Sequence, residues 1–373
     1  HVLAVVRDLV RRYDLDGIHY DDYFYPYPIV DAGGQKADFP DDRAWQAYLD
    51  GGGSLPRADW RRRQVDGFVE RLYREVHQEK PHVRVGVSPF GVGRPDRRPP
   101  GVVGFSQYDD LYANVELWLE QGWLDYLAPQ LYWKLDSPGQ PFAPLLDTWL
   151  AQNPLKRHIW PGLFTSRMGP DGQWPAAELL GQIRTLRSRP GSAGHAHFSE
   201  VALRKDYGGI RAALSQAYAG PALVPATPWL GGAPPPAPAV RLKPVESGRV
   251  GLDLASEGRP WILAVWGRYG DRWRFFTLPG GTGTLPAQVD GADLGPVVVS
   301  AVGRTGLESP RVAAQAAPRW SRSRSPPRPA PRPRNRRRRH GHPLGPRRPF
   351  GGDPGRGRGS RVQRPGVAGP RAQ

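Results

Sequence analysis

The sequence predicts an α/β chain: a partial TIM, or (β/α)8, barrel over residues 1–220, a linker over 221–240, a small β-sandwich over 241–317 and an Arg/Pro-rich tail over 318–373. Three observations carry this. Strand-like and helix-like stretches alternate before residue 220, as a parallel sheet with helical crossovers requires. The strands end in polar or aromatic residues, at the positions where a barrel gathers its site. After Pro221 the chain turns to Pro and Gly, and then to short β-rich runs separated by Gly and Asp.

The chain opens on an amphipathic helix, with Val2, Val6, Leu9, Val10 and Tyr13 at helical spacing and Arg7, Asp8, Arg11 and Arg12 on the other faces. No Met or N-cap residue precedes it. The expectation is therefore an N-terminally truncated, inactive fragment whose signal sequence is out of view. Residues 17–20 alternate as a short strand. A long loop and a helix around residues 57–79 lead to a strand at 83–87. Further strands are expected at 125–132, 158–164 and 195–199, with helices at 108–121, 142–152, 176–187 and 201–218. A dinucleotide-binding sheet is the poorer account, because Gly91-Val92-Gly93 does not extend into a glycine fingerprint. Beyond the linker, residues 261–266, 273–277 and 296–302 read as sandwich strands.

The formal charge of +17 suggests a nucleic-acid binder until it is divided along the chain. Residues 318–373 hold 17 Arg against one acid, Asp353, so the preceding body is almost neutral and no specific nucleic-acid partner is expected of it. The tail has too few apolar residues to form a core and reads as a disordered extension, or as an out-of-frame product of a GC-rich coding region. The absence of Cys excludes disulfides and thiolate chemistry. No stretch of apolar residues is long enough to span a membrane, and the oligomeric state is not legible.

The chemistry concentrates in residues 16–26, where a strand runs into Asp21 and Asp22 among Tyr23, Phe24 and Tyr25. Carboxylates supply the nucleophile, acid and base of glycoside hydrolysis, and flat rings stack on sugar faces. Asp21 and Asp22 are the candidate catalytic residues. Strand alternation places Asp21 on the side of His19, which makes it the leading nucleophile or charge stabiliser. An Asp at this junction also has a plain structural use, accepting backbone N–H bonds. Candidate substrate contacts are His19, Tyr23, Tyr25, Ser88, Phe90, Gln130, Tyr132, Trp133 and Ser199. Glu200, Asp96 and Asp136 are weaker candidates for a second acid. His19-Tyr20-Asp21 also has the His-x-Asp form of metal-dependent hydrolases, with His195 and His197 as conceivable further ligands; the preferred reading has no metal and no cofactor.

Five strand-end stretches occur in order, at residues 16–26, 87–92, 107–109, 125–133 and 195–199. Together they resemble the motifs of the glycosyl hydrolase-like 10 family of bacterial envelope proteins. The resemblance implies a (β/α)8 barrel, here its last five βα units, followed by a fibronectin type III-like module to which residues 300–310 are similar. It also implies cleavage of peptidoglycan glycan or a related polysaccharide, and a secreted or lipoprotein location in the cell envelope. A non-catalytic wall-binding protein and a metal-dependent polysaccharide deacetylase remain the alternatives.

Removal of residues 318–373 is expected to leave the melting temperature unchanged and to abolish salt-sensitive binding to nucleic acid, because clustered Arg binds polyanions through counterion release. Calorimetry and a salt titration of binding check this; loss of folding on truncation would contradict it.

Overall fold

The computed structural model describes residues 1–192, 194–245, 248–254, 260–280 and 283–314, so the expectation of disorder over 318–373 lies outside the described residues. Parallel strands at Gly17–Tyr20 (β1), Arg84–Val87 (β2), Tyr126–Leu127 (β3) and His158–Ile159 (β4) pair in chain order. Gly162–Leu163 (β5) pairs in parallel with Ala196–His197 (β6). Parallel bridges from Phe90 to Gln130, Gln130 to Gly162 and Ile159 to Ser192 tie the two strips together. Among the described residues the order of the parallel strands never reverses, so they present no switch point of the doubly wound kind.

Helices Val2–Arg12 (α1), Asp42–Asp50 (α2), Arg57–Glu79 (α3), Gln107–Asp110 (α4), Val115–Gln121 (α5), Phe142–Ala151 (α6), Ala176–Arg187 (α7), Glu200–Arg204 (α8) and Ile210–Ala217 (α9) connect and cover these strands. Val6 and Val10 of α1 pack with Leu72 and Val76 of α3 and Val83 and Val85 beside and within β2, forming one apolar cluster. The main core joins Val87, Leu127, Ile159 and Leu163 of the strands to Val69, Trp118, Leu146, Ile183 and Leu214 of the helices. Each such aliphatic side chain contributes about 1.5–3 kcal/mol on burial.

Several expected elements are shorter, for local reasons. The run expected at 158–164 is divided at Pro161, which has no N–H for the ladder. Residues 125–132 keep ladder pairing only at Tyr126–Leu127, with a bridge at Gln130 just beyond Pro129. The expected helix at 108–121 breaks at Tyr112, whose φ is 53°. That at 201–218 breaks where Asp206, Gly208 and Gly209 all take positive φ. In the opposite direction, α2 lies in a stretch read as loop.

Antiparallel strands follow: Val240–Val245 (β7), Arg249–Leu254 (β8), Ile262–Tyr269 (β9), Arg272–Pro279 (β10), Gly283–Pro286 (β11), Gln288–Val289 (β12), Ala292–Val302 (β13) and Val312–Ala313 (β14). β10, β9, β13 and β12 form one sheet, with β14 on β13, and β11, β8 and β7 form another. Val240, Leu252 and Leu285 from the smaller sheet meet Leu263, Val265, Val297, Val299 and Ala301 from the larger in a separate core. The turns joining β7 to β8 and β9 to β10 carry glycines at positive φ, Gly248 and Gly270.

The two halves are joined by charged and aromatic contacts. Arg304, after β13, donates to Asp14, lies 2.9 Å from His82 Nε2 and stacks 4.1 Å above Trp261. Asp125, at the start of β3 and fully buried, accepts from Val85 N–H at 2.7 Å and from Trp229 Nε1 at 2.7 Å. Tyr73 donates to it at 3.3 Å and His77 Nε2 of the same helix lies 3.1 Å away.

Asp125→Asn turns an amide N–H toward a site built of donors. It is expected to cost about 2–4 kcal/mol, the range for a disrupted buried polar network. Urea denaturation should show a lower midpoint at an unchanged slope; an unchanged midpoint would refute this account of the junction.

Candidate active site

β1 ends at Tyr20 and places Asp21 one step beyond the ladder, on the same side as His19. Neighbouring strand ends meet them. Ser88, just past β2, donates from Oγ to Asp21 Oδ1 at 3.0 Å, and its Oγ lies 2.9 Å from His19 Nε2. Gln130 donates to the same Asp21 oxygen at 3.1 Å and to the Ser88 carbonyl at 2.9 Å. Tyr126 reaches His19 Nδ1 at 2.9 Å. Three adjacent strands thus converge on one carboxylate.

Asp22 points elsewhere. It is 5% exposed and accepts the Tyr27 hydroxyl. Burial raises its pKa above the usual carboxylate range, the bond from Tyr27 works against that rise, and the charge of Asp21 adds to it. Burial and the Asp22 bond likewise hold Tyr27 well above an ordinary phenol. Tyr132 is raised by burial and then by the charges of Asp21 and Asp22. Desolvation lowers His19 despite the opposing pull of Asp21, so the imidazole is neutral at neutral pH.

Aromatic rings border the carboxylates. Tyr27 stacks on Phe105 at 5.1 Å, Phe105 meets Phe90 edge-on at 5.2 Å, and Phe90 meets Trp133 at 5.5 Å. Tyr132 packs against Phe164 at 4.7 Å and Phe198 at 5.3 Å. Tyr23 is 72% exposed and touches Tyr27 edge-on. His19, Ser88, Gln130, Tyr132, Phe90, Trp133 and Tyr23 therefore gather around or near Asp21 and Asp22.

Two other candidates find different partners. Tyr25 packs on Phe39 and Tyr112, donates to Asp41 at 3.3 Å, and is pushed up to about 12 by burial. It borders a separate cavity of about 150 Å³ that includes Lys36, Asp38, Arg61 and Asp110. Ser199 bonds to Ser166, with 3.2 Å between hydroxyls. Among the weaker acids, Glu200 and Asp96 are exposed and paired with Arg204 and Arg94, and Asp136 is exposed.

Tyr27, Phe105, Phe164 and Tyr126 were not among the expected site residues. Tyr126 had a sequence signal in Gly86, the residue opposite it on β2 and also opposite His19. A Cβ on Gly86 would lie 2.2 Å from the Tyr126 ring, so only glycine lets that ring lie across β2 to reach His19. The His19 and Tyr126 rings are almost parallel, 11° apart, and Trp160 stacks on the far face of the row at 4.7 Å from Tyr126.

As a metal ligand His19 would have to exchange partners, because both of its ring nitrogens are engaged by hydroxyls. His195 and His197 turn to Tyr218 instead, and desolvation takes His195 down to about 4. Among the described residues no three His, Cys, Asp or Glu side chains gather at metal-holding distance.

A parallel α/β framework with a hydrogen-bonded carboxylate at its strand ends and aromatic walls is glycosyl hydrolase-like, and comparison with known proteins bears out that class. The Glycosyl hydrolase-like 10 family model matches residues 1–173. Glycosyl hydrolase YngK of Bacillus subtilis (strain 168) is 35% identical over 247 residues, covering 64% of this chain and 47% of the relative. Glycosyl hydrolase DigH of Escherichia coli (strain K12) is 31% identical over 172 residues, covering 45% of this chain and 37% of the relative. The chain spans about half or less of the length of these relatives. Among solved structures, the endo-beta-1,4-mannanase from Thermotoga petrophila is 12% identical with a TM-score of 0.30, covering 71% of this chain and 63% of that one; a likeness at that score carries no argument.

The raised pKa of Asp22 has a definite sign. A carboxyl raised in the folded state favours folding while protonated, and this contribution is lost as pH rises through the folded-state value. Asp22→Asn is thus expected to gain stability relative to the parent as pH rises from about 3 to 8. Melting temperatures across that range check it, and a pH-independent difference would refute it.

Proposed function

We propose that the protein is a glycoside hydrolase acting on bacterial cell-wall glycan or a related polysaccharide, with Asp21 as nucleophile or charge stabiliser. The observation that carries this is the Asp21 carboxylate, held on one oxygen by Ser88 and Gln130 beside aromatic walls. Such a carboxylate, fixed before substrate arrives, can meet an oxocarbenium-like transition state without reorganising. Asp22 is the proton-holding partner, because burial favours its protonated form while Asp21 sits among donors; paired carboxyls in unlike environments are how such sites separate acid and base roles. Phe90, Tyr132 and Trp133 are the saccharide platform, and Tyr23 a further exposed contact.

Several features support the wider reading. Parallel strands in unbroken chain order, with helices on the connections, are what a segment of a (β/α)8 barrel presents, and the site lies at their C-terminal ends. The domain division is residues 1–220 for this partial barrel, 221–240 for the linker and 241–317 for a fibronectin type III-like sandwich. The family resemblance favours peptidoglycan glycan as substrate and the bacterial envelope as location. No helix among the described residues is long and apolar enough to cross a membrane.

The test, run on the whole protein to which this sequence belongs, is release of reducing ends from peptide-free peptidoglycan glycan, alongside retention on the same glycan. Asp21→Asn is expected to reduce turnover by about 10³-fold or more, roughly 4 kcal/mol, by removing the charge while keeping the shape. Trp133→Ala should chiefly weaken binding, by roughly 1 kcal/mol. Full activity in Asp21→Asn would overturn its role. Retention without cleavage would replace hydrolysis by wall binding, and loss with EDTA restored by zinc would favour a deacetylase.

A further inference from the structure

The hydrogen bonds around Asp21 have a direction, and a backbone carbonyl sets it. The Gln130 side-chain atom 2.9 Å from the Ser88 carbonyl has to be the amide nitrogen, because a carbonyl oxygen only accepts. That nitrogen also lies 3.1 Å from Asp21 Oδ1, so Oδ1 receives a proton from Gln130 and acts as an acceptor. Ser88 Oγ, 3.0 Å from the same oxygen, gives its single proton there. With that proton committed, Ser88 Oγ can only accept from His19 Nε2 at 2.9 Å. A neutral His19 then carries its proton on Nε2. Its Nδ1 accepts from the Tyr126 hydroxyl at 2.9 Å.

We propose that Tyr126, His19 and Ser88 form a directional hydrogen-bond chain ending on Asp21 Oδ1, in which Tyr126 and His19 are positioning residues that act on Asp21 through Ser88. The consequence is a division of labour between the two carboxylate oxygens. Oδ1 is pinned by two donors, whereas Oδ2 has no hydrogen-bond partner among the described residues and is the oxygen presented to a substrate. His19 changes role from a sugar contact to a strut that bears on Asp21 through Ser88. The surroundings maintain the direction: burial takes the Tyr126 phenol up to about 12, keeping it a donor, and desolvation keeps the imidazole neutral. Gly86 supplies the room, since a side chain there would drive the Tyr126 ring off His19.

The meaning given to Oδ2 rests on the hydrolase reading, but the direction of the chain does not. The opposite direction would require a proton on Asp21, with Ser88 donating to Nε2 and His19 donating from Nδ1 to Tyr126. The tautomer of His19 therefore distinguishes the two.

The experiment is a long-range ¹H–¹⁵N correlation spectrum of the uniformly labelled chain at pH 7.5, with the His19 signals assigned by their loss in His19→Gln. At least about a tenfold excess of the Nε2–H form is expected, a ratio that one ordinary hydrogen bond supports. Tyr126→Phe removes the donor to Nδ1 and Ser88→Ala the acceptor from Nε2. Each should relax the ratio several-fold toward a mixture, with an unchanged far-UV circular dichroism spectrum. A dominant Nδ1–H form in the parent chain overturns the proposal, as does an unaltered ratio in both variants. The parent measurement requires no substitution, and none of these readings depends on whether glycan is cleaved, so failure here is distinct from failure of the hydrolase reading.

Discussion

The arrangement depends on one buried carboxylate that does no chemistry. Asp125 sits without solvent contact at the start of β3 and collects donors from β2, from α3 and from Trp229 in the segment leading to the sandwich. A buried carboxyl is tolerated only when its lone pairs are satisfied, so Val85, Tyr73 and Trp229 are not free to move independently. Asp125 is also the chain neighbour of Tyr126. Holding the one fixes where the other leaves the strand, and the Tyr126 ring is what steadies His19 behind Asp21.

From that anchor outward, the site is a matter of which strands are next to each other. His19, Gly86 and Tyr126 occupy one rung across β1, β2 and β3. A side chain in the middle would separate the outer two, and glycine permits their contact at the expense of its own packing. Beyond the ladder, Asp21, Ser88 and Gln130 meet through hydrogen bonds instead of ring contact, Gln130 reaching them from the level of Phe90. Polar convergence at strand ends of this kind places function on rigid elements, where small displacements are resisted by the ladder behind them.

The rim is built by different means. Phe90, Phe105, Trp133 and Tyr27 come from loops, and they hold one another edge-to-face and by stacking. Such contacts are individually modest, about 0.5–1.5 kcal/mol, but rings already packed against one another have little freedom left to lose. Asp22 is part of this rim by its bond to Tyr27, and its burial there is the largest cause of its raised pKa.

Much was determined by the sequence alone. Alternating apolar periods of two and of about 3.6 marked the βα order, and the Asp21 and Asp22 pair among aromatics marked the candidate site, because both signals are local and survive without any contact being known. Short elements were harder to read. Proline at 161 and positive φ at Asp206 and Tyr112 divided runs whose hydrophobic pattern is continuous, and β11, β12 and β14 are too brief to stand out. Only the tertiary structure decided which carboxylate oxygen is held, that Asp22 turns to Tyr27, that Tyr25 joins Arg61 and Tyr112 rather than the carboxylates, and that Tyr126 reaches across Gly86 to His19. The physical reason is that these depend on strand register, in which residues separated by tens of positions in the chain become neighbours a few ångströms apart, and register is set by the packing of the whole sheet against its helices.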